Sequence, residues 1–166
     1  MAKVIWLTGL SGSGKTTIAK ALQKELGEDC ISIDGDNVRK MFPPIGFSKE
    51  DRDTNVGRAA YLAKILWPFF DVIICSFISP YEVTRKMVKE KVKDIKIVYV
   101  KCHIEECIKR DPKGLYAKAL IGEIENFTGI SDPYEEPKNA DLVVETDKLS
   151  LEECVKSIKE MLKSDI

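Results

Sequence analysis

Residues Gly9-Leu10-Ser11-Gly12-Ser13-Gly14-Lys15-Thr16 constrain this chain more than any other string in it. They follow an apolar run, Val4 to Thr8, and lead straight into a stretch where Ile18, Ala19 and Leu22 recur at helical spacing. The string satisfies G-x-x-x-x-G-K-[ST] in a strand-loop-helix context. Glycines let the backbone curl until successive N–H groups point inward, and the helix N-terminus adds partial positive charge, so such a loop cradles polyphosphate. In that cradle Lys15 reaches the β and γ phosphates and Thr16 holds Mg²⁺. Gly9, Ser11, Gly12, Ser13, Gly14, Lys15, Thr16 and Thr17 are therefore the candidate ATP-binding residues.

Around this motif, β-branched apolar runs alternate with helical spacing, the pattern of βαβ units in a mainly parallel sheet covered on both faces. The expected strands are Val4 to Thr8, Ile31 to Asp34, Val72 to Phe77, Ile97 to Val100 and Leu142 to Val144. Helices are expected from Lys15 to Leu26, stopped by Gly27, and from Ser48 to about Leu66, with Ser48 and Asp51 resembling a capping box. Ser79-Pro80 reads as an N-cap followed by a first-turn proline, Ser150 with Glu153 as a second capping box, and the Lys86 to Lys101 charge run as a solvated helix face. Two proline-bearing stretches, Lys40 to Phe47 and Asp111 to Lys138, read as loops or lids, and the ends of parallel strands are where such loops gather around ligands. The expected fold is α/β, three layers with a five-stranded parallel sheet, in one domain over residues 1–166 with a mobile lid at about 111–138.

Composition narrows the function. The 166 residues suit one domain, and 26 Lys plus Arg against 27 Asp plus Glu leave a net charge of -1, so bulk attraction to nucleic acid or anionic lipid has no support. The greasy stretch Leu62 to Ile78 is broken by Lys64, Pro68 and Asp71 and cannot span a bilayer. The opening MAKVIWLTGLSGSG imitates a leader peptide, but its small residues belong to the glycine loop. Five cysteines with no C-x-x-C pair fit a reduced, cytoplasmic protein.

A polyphosphate loop alone does not separate kinases from switches and motors. No N-K-x-D guanine motif is present, and Val72 to Phe77 does not end in an acid; the apolar run entering carboxylates is Ile31-Ser32-Ile33-Asp34, followed by Gly35-Asp36. Asp36, or Asp34 beside it, could orient Mg²⁺ or accept a proton from an attacking hydroxyl; the competing reading is an Asp-Gly-Asp-Asn turn that caps a helix. Three of the five arginines, Arg39, Arg52 and Arg58, follow within twenty positions. Guanidinium forks grip phosphate and sulfate oxygens bidentately, which suggests an anionic acceptor. Phe47 and Phe127 could sandwich a flat ring, or belong to the core. His103 with Cys102 and Cys107 supplies three groups where a structural zinc needs about four, so packing is the expected role.

Beyond these residues, GLSGSGKTT (Gly9–Thr17), DGDNVR (Asp34–Arg39), GFSKEDRDTN (Gly46–Asn55), SFISPY (Ser76–Tyr81), RDPKGLY (Arg110–Tyr116) and NFTGISDPYE (Asn126–Glu135) make the chain resemble the adenylyl sulfate kinase family. That resemblance implies transfer of the γ-phosphoryl of MgATP to the ribose 3′-hydroxyl of adenylyl sulfate. It implies Asp36 as the catalytic or Mg²⁺-orienting carboxylate with Asp34 as neighbour, and Arg39, Phe47, Arg52, Asn55, Ile78, Ser79 and Phe127 as acceptor-site residues. It implies Lys113 in a mobile lid, bringing charge to the transferred phosphoryl, and Arg110 against the ATP base. Ser79 matches a serine described in some members as a phosphoserine intermediate; an N-cap role explains the same serine without a covalent step. The chain departs from many relatives at Lys40 to Ile45 and at Gly57, where a second basic residue is common, so the acceptor loop is expected to differ in shape or affinity.

The expected partners are adenylyl sulfate, a functional link to an ATP sulfurylase and a second copy of the chain, with no nucleic acid or membrane. The rival readings are another small-molecule kinase, for shikimate, gluconate or a nucleoside monophosphate, and a non-catalytic nucleotide-binding partner of a sulfurylase.

Overall fold

The computed structural model describes residues 2–164. Five strands, β1 (Lys3–Thr8), β2 (Cys30–Asp34), β3 (Val72–Ser76), β4 (Ile95–Lys101) and β5 (Leu142–Glu145), form one parallel sheet in the order β2-β3-β1-β4-β5. Seven α-helices, α1 (Lys15–Leu26), α2 (Gly35–Met41), α3 (Lys49–Leu66), α4 (Glu82–Lys91), α5 (Ile104–Arg110), α6 (Leu115–Leu120) and α7 (Leu151–Lys163), and one 3-10 turn, Gly27–Asp29, are found among the described residues. The expected α/β class and strand set are therefore present.

The central strand explains why the runs are continuously apolar rather than alternating. Val4 and Trp6 of β1 face one layer, where Ala59, Ala60 and Ala63 of α3 and Val88 of α4 pack, while Ile5 and Leu7 face the other, against Ile18, Ala19 and Leu22 of α1 and Val155 and Ile158 of α7. A strand covered on both faces has no position left for a polar side chain. The three small alanines bring α3 close to the sheet. A third, smaller cluster of Cys102, Cys107, Tyr116, Ala119 and Phe127 lies under α5 and α6. Each fully buried aliphatic residue of this kind contributes about 1.5–3 kcal/mol through burial.

Local signals set the helix ends. Ser150 and Glu153 form a complete capping box on α7. At α3 the Ser48 hydroxyl accepts from Asp51 N and donates to the Asp51 carboxylate, so Asp51 meets the hydroxyl as well as supporting the turn. Three expectations need correction. The N-cap of α4 is Tyr81, not Ser79; Ser79 adopts φ 45° and its side chain is drawn inward by tertiary contacts. The 86–101 charge run is not one helix face: α4 ends at Lys91, Asp94 turns the chain at φ 46°, and β4 begins at Ile95 because Ile97 and Val98 are taken into the sheet. The 111–138 stretch is not loop throughout, since α6 interrupts it. Its start is fixed by Asp111, whose carboxylate accepts from Tyr116 N and Ala117 N, both at 3.0 Å.

Among the described residues no helix is long and apolar enough to cross a membrane.

Candidate active site

The glycine loop joins β1 to α1 at the carboxyl edge of the sheet, beside the central strand. Gly9 sits so close to β4 that a Cβ there would lie 2.3 Å from the Val100 carbonyl oxygen, and Gly14, the N-cap of α1, holds φ 105°. The loop is braced from outside by Thr146, which no sequence motif announced, and by Tyr116 and Arg110, the two ends of the RDPKGLY string. Thr146 donates from Oγ1 to Ser13 O at 2.6 Å, and the buried Tyr116 donates its hydroxyl to Ser11 O at 2.7 Å. Arg110 donates to Gly12 O at 3.4 Å and to Thr146 O at 2.9 Å, and pairs with Glu106. Arg110 thus stands at the loop's outer rim, and Ser13 is fully buried within it.

Lys15 turns its ammonium back onto the loop, donating to Gly9 O at 2.8 Å and Leu10 O at 2.7 Å. Burial pushes its pKa down from 10.5 to about 8, Lys113 reinforcing the shift and Asp34 and Asp36 opposing it. Two carbonyl oxygens are a weak substitute for an anion, so this cation is poised to change partners when a polyphosphate enters.

The acidic pair divides two tasks. Asp34 caps α2, its Oδ1 accepting from Asp36 N at 2.9 Å and Asn37 N at 3.4 Å, while its Oδ2 accepts from Thr16 Oγ1 at 3.3 Å. The capping reading and the site reading therefore both hold for Asp34. Asp36 points elsewhere, to an ion pair with Lys113 from the Asp-Pro-Lys-Gly turn ahead of α6. The Thr16 hydroxyl and the Asp34 carboxylate meet here as hard oxygen donors, the kind that suits Mg²⁺, with the Asp36 carboxylate two residues on turned to Lys113.

Beyond Asp36, Arg39 lies 4.2 Å from the Phe47 ring centroid and donates to Gly46 O at 2.7 Å. Arg52, although buried, donates to Phe47 O at 3.0 Å and Asn126 O at 2.6 Å, which ties the Phe47 loop to the residue before Phe127. Among the described residues neither guanidinium forms an ion pair with a carboxylate. Burial lowers the pKa of both, and at Arg39 the neighbouring Arg52 charge lowers it further. Phe47 is half exposed, whereas Phe127 is buried edge-on against Tyr116 at 5.0 Å. Asn55 donates to Gly35 O at 3.4 Å and leaves its buried Oδ1 without a partner. Arg58 stands apart, over Phe42 and donating to Pro43 O.

Ile78 and Ser79 follow β3. The Ile78 carbonyl accepts from Thr8 Oγ1 at 2.6 Å, and the buried Ser79 hydroxyl accepts from the Trp6 indole N–H at 3.0 Å. Cys102 and Cys107 are buried in the third cluster, and the His103 ring pairs instead with Asp147, so these three groups do not converge. Thr17 is exposed on α1.

The family model for adenylylsulphate kinase matches residues 1–145. The chain belongs to the adenylylsulphate kinase family. Among its relatives, an adenylyl-sulfate kinase of Halothermothrix orenii is 48% identical over 95% of this chain and 88% of its own length. A probable adenylyl-sulfate kinase of Pseudomonas aeruginosa is 50% identical over 93% of this chain and 74% of its own. The fold is similar to that of the Mycobacterium tuberculosis APS kinase CysC, solved in complex with AMPPNP and APS, with a TM-score of 0.92, 36% identity and 98% of each chain covered.

Proposed function

We propose that this family member is an adenylyl sulfate kinase, transferring the γ-phosphoryl of ATP to the ribose 3′-hydroxyl of adenylyl sulfate. The observation that carries the reading is a polyphosphate cradle that shares Asp36 as a charged neighbour with Arg39, one of a pair of guanidinium groups that, among the described residues, have no carboxylate within ion-pair distance and lie beside an exposed aromatic ring. An acceptor that is both anionic and planar answers both features, since guanidinium binds sulfate and phosphate oxygens and the ring offers a stacking face. Shikimate and gluconate carry no aromatic ring, which favours the nucleotide acceptor over those rivals.

In this reading the inward N–H groups of residues 9–16 bind the triphosphate and Lys15 moves from the loop carbonyls to its β and γ oxygens. Arg110 lies against the base. Thr16, with Asp34 and Asp36, would hold Mg²⁺, which supplies charge neutralisation of the phosphate oxygens when bound. Arg39 and Arg52 hold the acceptor's anionic groups, Phe47 and Phe127 flank its adenine, and Asn55, Ile78 and Ser79 complete the pocket. The 3′-oxygen attacks the γ-phosphorus in line; the new P–O bond forms as the bond to the β-phosphate oxygen breaks. Asp36 orients the hydroxyl and takes its proton. Lys113 leaves Asp36 for the transferred phosphoryl, whose charge it neutralises, and the products are ADP and 3′-phosphoadenylyl sulfate. Positioning and electrostatics suffice for such a transfer, so no covalent enzyme intermediate is required. The acceptor is the product of a sulfurylase reaction, which places the two activities in sequence.

ADP release from MgATP measured against adenylyl sulfate, shikimate, gluconate and nucleoside monophosphates tests the reading. Turnover with adenylyl sulfate at least about tenfold above every other acceptor, a transition-state difference of about 1.4 kcal/mol, is expected. Preference for a non-sulfated acceptor refutes it, and binding of both nucleotides without turnover assigns a non-catalytic role.

A further inference from the structure

The segment from Asp132 to Glu136 runs beside Ile78–Arg85 and is stitched to it at several points. Glu135 N donates to Pro80 O at 2.8 Å, Glu82 N donates to Glu135 Oε2 at 2.7 Å, and Tyr81 donates its hydroxyl to Asp132 Oδ2 at 2.5 Å. Arg85 crosses the seam. Its guanidinium donates through Nη1 to Ser79 O at 2.6 Å and through Nη2 to Glu135 O at 2.5 Å, with Glu82 Oε2 as its counterion at 2.6 Å. The residue is 2% exposed, and the Tyr134 ring covers it at 5.8 Å.

Both ends of this seam lead to the acceptor pocket. At one end Ser79 holds φ 45°, a conformation that a residue with a side chain keeps only when its surroundings fix it. At the other, the N–H groups of Ile130, Ser131 and Asp132 all donate to Phe127 O within 3.1 Å, and Gly129 N donates to Asp132 O at 2.7 Å. The Ser131 hydroxyl accepts from Phe127 N at 2.9 Å. Phe127 is thus fixed to Asp132 by a closed turn, and Asp132 to Glu136 are fixed to Ser79 by the seam.

We propose that Arg85 is a positioning residue for the acceptor, its fork setting the separation between the Phe127 wall and the Ile78–Ser79 wall of the pocket. This deepens the adenylyl sulfate reading and rests on it. Arg85 reaches the two walls through main-chain carbonyls, of Ser79 and Glu135, with the Glu82 carboxylate holding its charge. A lysine ammonium cannot reproduce that fork, because it presents one compact charge instead of two parallel donors. Arg85 makes no bond to the glycine loop itself; the nearest link is Thr8, the residue before Gly9, which donates to Ser79 O at 3.4 Å and meets the Tyr134 hydroxyl at 2.9 Å, so the acceptor wall is expected to shift more than the donor site. An error of about 1 Å in a pocket wall is enough to cost a large factor in productive binding.

The test uses the full chain, Arg85→Lys and Tyr81→Phe, with initial rates in both substrates and thermal melting. Arg85→Lys is expected to raise KM for adenylyl sulfate about tenfold or more while KM for ATP and kcat at saturating acceptor stay within about twofold. Tyr81→Phe, which removes one bond of the same seam and keeps the ring, is expected to show the same split at about two- to fivefold. An unchanged acceptor KM in a folded Arg85→Lys overturns the inference. So does a parallel rise in both KM values that follows the loss of folded protein. Should Arg85→Lys fail to fold, Tyr81→Phe decides alone: an unchanged acceptor KM sinks the idea. The parent chain separates the two levels. Failure of the parent to bind adenylyl sulfate removes the functional reading and this inference with it, whereas normal binding by parent and variants alike removes this inference only.

Discussion

The Lys113 ammonium, in the turn ahead of α6, meets the Asp36 carboxylate at the start of α2, 77 residues earlier in the chain. The contact closes the turn over the edge of the glycine loop. Both side chains are more than half exposed, at 56% and 59%, and an ion pair in that setting contributes about 0–1 kcal/mol to stability. A contact so weak is easily exchanged for a transferring phosphoryl group and an acceptor hydroxyl, which is what the proposed chemistry asks of these two residues.

Asp36→Asn and Lys113→Met should therefore separate stability from catalysis. Each is expected to change the unfolding free energy by less than about 1 kcal/mol and to lower kcat by about 10²–10³, the loss typical of one preorganised electrostatic group. Denaturant unfolding and steady-state rates on the same preparations check both halves. A well-folded variant with parental kcat refutes the role of the residue replaced.

The depressed pKa of Lys15 predicts proton uptake on nucleotide binding. With the ammonium at about 8 in the free protein, a growing fraction is neutral above pH 8, and the polyphosphate draws the proton back. Affinity for ATP should fall as pH rises above about 8, and calorimetry at pH 9 in buffers of different ionisation enthalpy should register uptake of a proton. Lys15→Arg, charged throughout, should show none; equal behaviour of the two proteins rejects the assignment. The stability sign is opposite. The unfolded chain holds this proton more tightly than the folded one, so this group's contribution to the stability of the unliganded protein rises between about pH 8 and 10.5.

Gly9→Ala should damage the cradle itself. Its new Cβ would meet a main-chain oxygen of β4 at 2.3 Å, and a strand cannot yield as a side chain can. A cost of about 1–3 kcal/mol is expected from the forced shift, together with weakened ATP binding, measurable by melting and by calorimetric titration. A parental melting temperature would show that the loop relaxes freely.

How much of this was legible in the sequence depended on whether a signal was local. The glycine loop, β1 and the α7 capping box are written in adjacent residues, and each stands where expected. Helix α2 was legible only as the capping alternative for the Asp-Gly-Asp-Asn turn, because Gly35, Asp36 and Asn37 are poor helix formers; the Asp34 cap and packing of Val38 sustain it. Helix α6 is six residues long, too short to show a period, and depends on the Asp111 carboxylate. Lys86 to Lys101 misled as a charge run because Lys and Val recur in both α4 and β4, although the apolar Ile97 to Val100 within it was legible as a strand and stands in β4. Thr146 and Arg85 lie outside every string quoted, and Tyr116 is only the last residue of RDPKGLY. Each is tied in through a distant carbonyl oxygen that has no sequence signature: Ser13 O for Thr146, Ser11 O for Tyr116 and Glu135 O for Arg85.

Ser79 shows what that difference means for mechanism. Ser-Pro suggested a helix cap, and the family resemblance suggested a phosphate carrier, but the residue is 2% exposed and its hydroxyl accepts the indole N–H of Trp6, itself fully buried. A phosphoryl group at that oxygen would have to displace the indole and enter a closed space. We expect the purified chain incubated with MgATP alone to keep its unmodified mass at Ser79 by peptide mass spectrometry. Ser79→Ala should instead cost about 1–3 kcal/mol, because it strands a buried indole donor without an acceptor. Combining Ser79→Ala with Trp6→Phe, which removes that donor, should cost less than the two single losses added together, since they share one bond. Phosphate found on Ser79 during turnover, or strictly additive losses, would reverse this assignment.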